Sequence, residues 1–72
     1  MTYESIQSFV KHNRKECGLT QKELAIRSGV GLHFIRDLEQ GKTDLRLKKV
    51  NQVLFMFGAQ IAAVPLEKED RE

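Results

Sequence analysis

The sequence is poor in the residues from which disulfides, cysteine-based metal sites and membrane segments are built. It contains one cysteine, one proline and no tryptophan among 72 residues. A single cysteine excludes an internal disulfide and a cysteine cluster, and such usage is typical of a reducing compartment. The longest apolar run, residues 61–66, is far shorter than the roughly 20 residues that a membrane-spanning helix requires. These absences predict a cytoplasmic protein without an export signal, a metal or another cofactor.

Motifs of common catalytic sites are also missing. The chain has no glycine-rich phosphate loop, and Ser28 precedes a glycine without the G-x-S-x-G pattern of a nucleophile elbow. His12 and Cys17 are five positions apart, so a helix places them on different faces and they do not form a metal pair. A chain of this size also has little room to enclose a substrate cleft. The sequence therefore predicts a protein that is not an enzyme and needs no small-molecule ligand.

What the chain does carry is an uneven distribution of charge. Residues 1–66 hold ten Lys and Arg against six Asp and Glu, whereas residues 67–72, EKEDRE, hold two against four. The body is thus basic, with a net charge of +4, and the tail is acidic, with a net charge of −2. A basic body suits an anionic partner such as nucleic acid, although an ordinary solvated surface has a similar composition. Lys48 and Lys49 are assigned either to general positive potential or to such a solvated face.

Apolar residues recur at three- and four-residue spacing in four segments, each closed by a glycine. This pattern predicts four short helices over residues 4–17, 21–28, 32–40 and about 46–57. The second helix opens with a capping box, because Thr20 is followed three positions later by Glu23. The predicted fold class is therefore all-α.

Two glycines stand close together in SGVGLHF, residues 28–34, between the second and third predicted helices. A tight turn between two helices needs a residue in the left-handed region, where a Cβ costs roughly 1 kcal/mol, and Gly29 supplies it. Val30 is predicted to plug the space between the helices, and Ala25 is predicted to be small because the third helix crosses close to it. The arrangement predicts a helix-turn-helix, whose second helix enters the DNA major groove.

The segment Leu19–Lys42, LTQKELAIRSGVGLHFIRDLEQGK, resembles the Xre or Cro/CI-type helix-turn-helix, whose usual form is L-T-Q-x-x-L-A-x-x-x-G-V-S-x-x-x-I-x-x-x-E-x-G. The agreeing positions are Leu19, Thr20, Gln21, Leu24, Ala25, Gly29, Val30, Ile35, Glu39 and Gly41. The resemblance implies a lambda-repressor-like bundle of four to five helices. Gly31 departs from the family, which usually has Ser or Thr there as N-cap, so we expect a weaker start of the third helix.

The resemblance also implies contacts to the DNA backbone. Gln21 lies at the start of the second helix, where the family uses this glutamine to hold a phosphate, and Thr20 caps the same end. Three residues after the third helix are predicted to contact the backbone on the far side of the groove: Lys42, Thr43 and Arg46.

Base contacts are predicted from the outward positions near the start of the third helix. These positions hold Leu32, His33, Phe34 and Arg36. Leu32 or Phe34 can pack on a thymine methyl group, and His33 can donate to a purine N7. Arg36 can bind guanine through two hydrogen bonds or bind a phosphate.

Two further charged residues are interpreted as structural. Arg14 and Glu39 occupy positions that form a buried or half-buried ion pair in many members of the family the chain resembles. A surface role for either residue is the alternative. If the pair is desolvated, removing one partner costs about 3 to 5 kcal/mol.

The C-terminal part of the chain predicts a dimer. Gln60–Val64 is short, compatible with a strand and closed by Pro65, yet the chain offers no second strand to pair with it. Pairing with the same strand of a second copy gives a two-fold symmetric dimer, and a frayed apolar tail is the alternative. The residues predicted at this seam are Phe55, Met56, Gln60, Ile61, Ala62, Ala63 and Val64. The predicted regions are a DNA-binding domain over 1–58, a dimerisation strand over 59–66 and a disordered tail over 67–72.

Lys42–Glu67 also resembles the small HipB-like antitoxins, through its predicted architecture and through R-L-x-K-V at Arg46–Val50. Such proteins typically bind a HipA-like serine/threonine kinase toxin and repress their own operon. The resemblance implies a nucleoid-associated homodimeric repressor that reads a palindromic operator in double-stranded DNA. The alternatives are a stand-alone phage or host regulator and, less directly, a protein-interaction module that has lost DNA binding.

Overall fold

The structure is a computed structural model that describes residues 4–66, so the predicted acidic tail at 67–72 lies outside the described residues. It contains four helices: α1 (Ile6–Glu16), α2 (Gln21–Ser28), α3 (Leu32–Glu39) and α4 (Leu47–Phe55). The all-α prediction is confirmed, and the bounds predicted for α2 agree with the structure. Within residues 4–66, no fifth helix is present.

The starts of the helices follow the local sequence. The Ser5 hydroxyl accepts a hydrogen bond from the Ser8 N–H at 3.2 Å and caps α1. The predicted capping box of α2 is confirmed: Thr20 Oγ1 accepts from the Glu23 N–H at 3.0 Å, and the Thr20 N–H donates to Glu23 Oε1 at 2.9 Å. Gly31 begins α3 without a side-chain hydrogen bond, as its lack of a side chain requires.

Replacing Thr20 by alanine is expected to lower the free energy of unfolding by about 0.5 to 2 kcal/mol, because the Glu23 N–H loses its acceptor. The backbone and side-chain hydrogen bonds of Thr20 hold the pKa of Glu23 below its ordinary value. The stabilisation from ionised Glu23 is thus present above the unfolded-state pKa and is lost as the pH falls through the folded-state pKa. Urea denaturation at neutral and acidic pH measures both effects. The Thr43→Ala variant, at an exposed threonine, is the control and should keep the wild-type stability.

All four helices end in the same backbone pattern, in which a glycine with positive φ follows the last turn. At the end of α2, Gly29 has φ +77°, its N–H donates to the Ile26 carbonyl at 3.3 Å, and the Val30 N–H donates to the Ala25 carbonyl at 3.1 Å. These two bonds form a Schellman motif and satisfy carbonyls that the helix leaves open. The turn redirects the chain into α3 within three residues.

The core lies where the four helices meet. α2 packs against α3, α1 packs against α3, and α4 packs against α2. Ala25 and Val30 are buried, as predicted from the turn. The Gln52 side-chain amide donates to the Ser28 carbonyl at 3.2 Å and ties α4 to the end of α2. The buried apolar side chains are those of Val10, Leu24, Ala25, Val30, Ile35, Leu38, Val50, Val53 and Leu54.

The predicted C-terminal strand is not present as an element of the single chain, because residues 59–66 have no regular secondary structure. Ala59 and Ile61 are half-buried and pack against the core of their own chain. The Ile61 N–H donates to the Asn51 side-chain oxygen at 2.7 Å. In the single chain the Ile61 side chain thus packs on its own core, and Asn51 supplies the acceptor that a neighbouring strand would give to the Ile61 N–H.

Candidate nucleic-acid interface

A buried ion pair joins α1 and α3 next to the start of α2. Arg14 Nε donates to Glu39 Oε2 at 2.7 Å, and Arg14 Nη2 donates to Glu39 Oε1 at 3.0 Å. The two side chains are only 11% and 4% exposed. The hydrogen bond to Glu39 raises the pKa of Arg14, against the opposing effect of burial. Arg14 also donates to the Leu19 carbonyl at 2.9 Å, so the pair joins α1, α3 and the segment before α2.

Gln21 is tied into the same network. Its side-chain amide donates to Glu39 Oε1 at 3.2 Å, which leaves Gln21 half-buried at the first position of α2. Because an amide nitrogen carries two hydrogens, one remains for an acceptor outside the protein. The neighbouring Thr20 is exposed, and its capping bond uses the oxygen as an acceptor, so the hydroxyl proton is also able to donate. Both groups therefore stand beside the positive end of the α2 dipole.

The exposed face of α3 carries two of the predicted base-contacting residues. His33 and Arg36 are exposed, whereas Ile35 and Leu38 point into the core. The helix is thus held by its apolar face and presents the imidazole and the guanidinium to solvent. The predicted backbone-contacting residues of the following segment are also exposed: Lys42, Thr43 and Arg46.

Leu32 and Phe34 are placed differently from the prediction. Both side chains are half-buried and pack against the core instead of projecting outward. Their spacing explains this, because Leu32 is three residues before Ile35 and Phe34 is four before Leu38, so both border the buried stripe. Only the exposed parts of Leu32 and Phe34 are available to a thymine methyl group.

Two contacts near α3 were missed by sequence reasoning. Lys49 Nζ lies 5.9 Å from the centre of the Phe34 ring, which brings a cation of α4 beside α3. Lys42 Nζ lies 3.3 Å from Asp37 Oδ1. The first contact joins separate helices and leaves no spacing signal in the sequence. The second follows from the turn at Gly41, which brings Lys42 over Asp37, the residue five positions earlier.

The residues predicted at the dimer seam are mostly at the surface. Phe55 is 61% exposed and Met56 is 37% exposed, so neither is consumed by the core of its own chain. Val64 is also a large exposed apolar residue, at 45%. Gln60, Ala62 and Ala63 are exposed as well, and among the predicted seam residues only Ile61 is half-buried.

Comparison with known proteins identifies the family to which this arrangement of helices belongs. Residues 10–54 match the family HTH_3, described as Helix-turn-helix, and this range contains α2 and α3 together with most of α1 and α4. The chain belongs to this helix-turn-helix family. It is 48% identical over 60 residues to a protein of Sinorhizobium fredii (strain NBRC 101917 / NGR234) named "Uncharacterized HTH-type transcriptional regulator y4mF", covering 83% of this chain and 79% of that protein.

A solved structure titled "Toxin-Antitoxin module from Streptococcus pneumoniae" contains a similar chain. The TM-score is 0.72 at 42% identity, and the match covers 86% of this chain and 68% of that chain. As a member of the helix-turn-helix family, the protein is a transcriptional regulator that binds DNA, with α2 and α3 as its two motif helices. Within residues 4–66, no helix has the length and apolar character needed to cross a bilayer.

Proposed function

We propose that this helix-turn-helix regulator is a sequence-specific repressor, with α3 in the major groove of its operator. The observation that carries the proposal is the pairing of exposed His33 and Arg36 on α3 with the donors of Thr20 and Gln21 at the start of α2. Base edges in the major groove accept hydrogen bonds from imidazole and guanidinium groups, and helix N-termini bind phosphates. α2 therefore fixes the position on the backbone, and α3 reads the bases.

The repressor is proposed to act as a homodimer on a palindromic operator, with half-sites about 34 to 36 Å apart or at multiples of that spacing. Phe55, Met56 and Val64 offer apolar area that the single chain leaves exposed. In an extended backbone, successive N–H groups point to opposite sides. We propose that residues 60–64 become extended in the dimer. Because the Ile61 N–H donates to Asn51 of its own chain, the N–H groups of Gln60 and Ala62 then face the second copy.

Replacing Ala62 by proline is expected to raise the dissociation constant of the dimer by about tenfold, because each copy loses one hydrogen bond across the seam. Ala63→Pro is the matched control, since the Ala63 N–H is on the side away from the second copy. Sedimentation equilibrium over a concentration series measures both constants. Equal effects of the two prolines would contradict this pairing register, and a monomer in the wild type would contradict the dimer.

The biological setting that we favour is a HipBA-like toxin-antitoxin operon, in which the protein represses its own promoter and neutralises a HipA-like kinase toxin. The similarity to a chain of a toxin-antitoxin module supports an antitoxin role. The R-L-x-K-V sequence at Arg46–Val50, which opens α4, supports the HipB-like assignment within that class. In this setting the protein has no enzymatic activity of its own and acts in the cytoplasm, at the nucleoid.

A stand-alone regulator without a toxin partner is the second candidate, supported by the similarity to a protein named only as a transcriptional regulator. Purification of the tagged protein from its native cells, with mass spectrometry of bound protein and sequencing of bound DNA, separates the two. A stoichiometric kinase together with the protein's own promoter is the result expected for the antitoxin. Promoter DNA without a stoichiometric protein would support the repressor function and contradict the toxin partner. A kinase without DNA would contradict the repressor function.

A further inference from the structure

The end of α3 brings an acidic side chain against Lys42, which the sequence predicts to contact the DNA backbone. Gly41 has φ +87°, and the Lys42 N–H donates to the Asp37 carbonyl at 3.1 Å. This Schellman motif places the residue after the glycine over the residue five positions earlier. At the end of α2 the two residues in these positions are Ala25 and Val30, which are both buried.

At the end of α3 an ion pair takes the place of that apolar contact. Lys42 Nζ is 3.3 Å from Asp37 Oδ1, and the two side chains are 55% and 32% exposed. The main-chain bond between the same two residues fixes the backbone of Lys42, so the carboxylate stays within reach of the ammonium group. An ion pair this exposed is weak, and a phosphate that approaches Lys42 can displace Asp37.

We propose that Asp37 competes with DNA phosphate for Lys42 and so lowers the affinity of the protein for the DNA backbone. The inference rests on the proposed DNA-binding role of α3 and of the segment that follows it. Lysine contacts to phosphate carry no sequence information and supply most of non-specific binding. When Lys42 is held in an internal ion pair, the affinity of the protein for a DNA site therefore depends more on the base contacts of His33 and Arg36.

The test is the Asp37→Asn variant, which keeps the shape of the side chain and removes its charge. Binding to a fluorescent duplex of mixed sequence is measured by anisotropy over a series of salt concentrations. The variant is expected to bind about two- to fivefold more tightly than the wild type. The slope of log K against log salt is expected to steepen by at most about 0.9, the value for one phosphate that Lys42 neutralises in the variant and not in the wild type.

Asp44→Asn is the matched control, because Asp44 is exposed and lies two residues after Lys42, and its substitution changes the net charge equally. Within residues 4–66, no ion pair involves Asp44. Equal gains in affinity from both substitutions would indicate a general charge effect and would overturn the inference. The gain from Asp37→Asn must also vanish in a Lys42→Ala background, since a gain that persists there would mean that Asp37 repels DNA directly.

A comparison of two single alanine variants keeps the inference testable if Asp37→Asn does not fold, which thermal denaturation reports. Lys42→Ala should reduce the salt slope by clearly less than Arg46→Ala, because Arg46 has no carboxylate partner within the described residues. Equal reductions would overturn the competition. If the wild-type protein has no affinity for duplex DNA, the proposed function is contradicted as well. If the wild type binds DNA and Asp37→Asn gains no affinity, only the inference about Asp37 is contradicted.

Discussion

Replacing Glu39 by alanine is expected to lower the free energy of unfolding by about 3 to 5 kcal/mol. The substitution leaves the Arg14 guanidinium, whose side chain is only 11% exposed, without the carboxylate that accepts two of its hydrogen bonds. It also releases the Gln21 amide at the start of α2. Because a domain of this size has little stability in reserve, a large fraction of the variant should be unfolded at physiological temperature.

Chemical denaturation followed by circular dichroism measures this loss. Glu16→Ala is the control, since Glu16 lies on α1 beside His12 at 4.0 Å with both side chains about two-thirds exposed. Surface substitutions of that kind change stability by no more than about 0.5 kcal/mol. If the Glu39 and Glu16 variants lost the same small amount, the buried pair would not hold α1 and α3 together. Charge reversal at Glu39 should be still more damaging, because it sets a second cation against Arg14.

Replacing Arg36 by alanine is expected to weaken operator binding by about 1 to 3 kcal/mol, a loss of up to roughly a hundredfold in affinity. Arg36 is exposed on α3, whereas Ile35 and Leu38 are buried, so its removal leaves the fold intact and deletes the base contact that we propose for it. Preference for one base pair of the operator should relax in parallel. Titration of the operator and of single-base variants, at one fixed salt concentration, measures both effects.

Arg27→Ala is the matched control, because Arg27 is an exposed arginine in the last turn of α2 and its loss changes the net charge equally. It should weaken binding slightly and to the same extent for every sequence. Gln21→Ala tests the backbone contact, and its effect should likewise be independent of sequence. Unchanged operator affinity in both the Arg36 and the Gln21 variants would contradict groove reading by α3.

Local features of the fold were determined by the sequence alone. The capping box of α2 follows from Thr20 and Glu23, since its two hydrogen bonds depend only on residue type and a three-residue spacing. The turn at Gly29 follows in the same way, because a left-handed residue between two helical patterns needs a glycine. The Arg14–Glu39 pair is different, because its partners are 25 positions apart and no local spacing relates them. The family resemblance predicts this pair, and the spacing of the residues does not.

The tertiary structure decided which side chains remain available for binding. The sequence predicts that Leu32 and Phe34 face outward, but the core contacts a wider part of α3 than its buried stripe, and both side chains are partly buried there. Ile61 read as one residue of a strand, yet Asn51 and the core hold it in its own chain. Such outcomes depend on how separate helices meet, which the pattern within any one helix does not contain. The sequence predicted the ends of the helices to within about two residues, and the packing of the helices decided which face of each is left exposed.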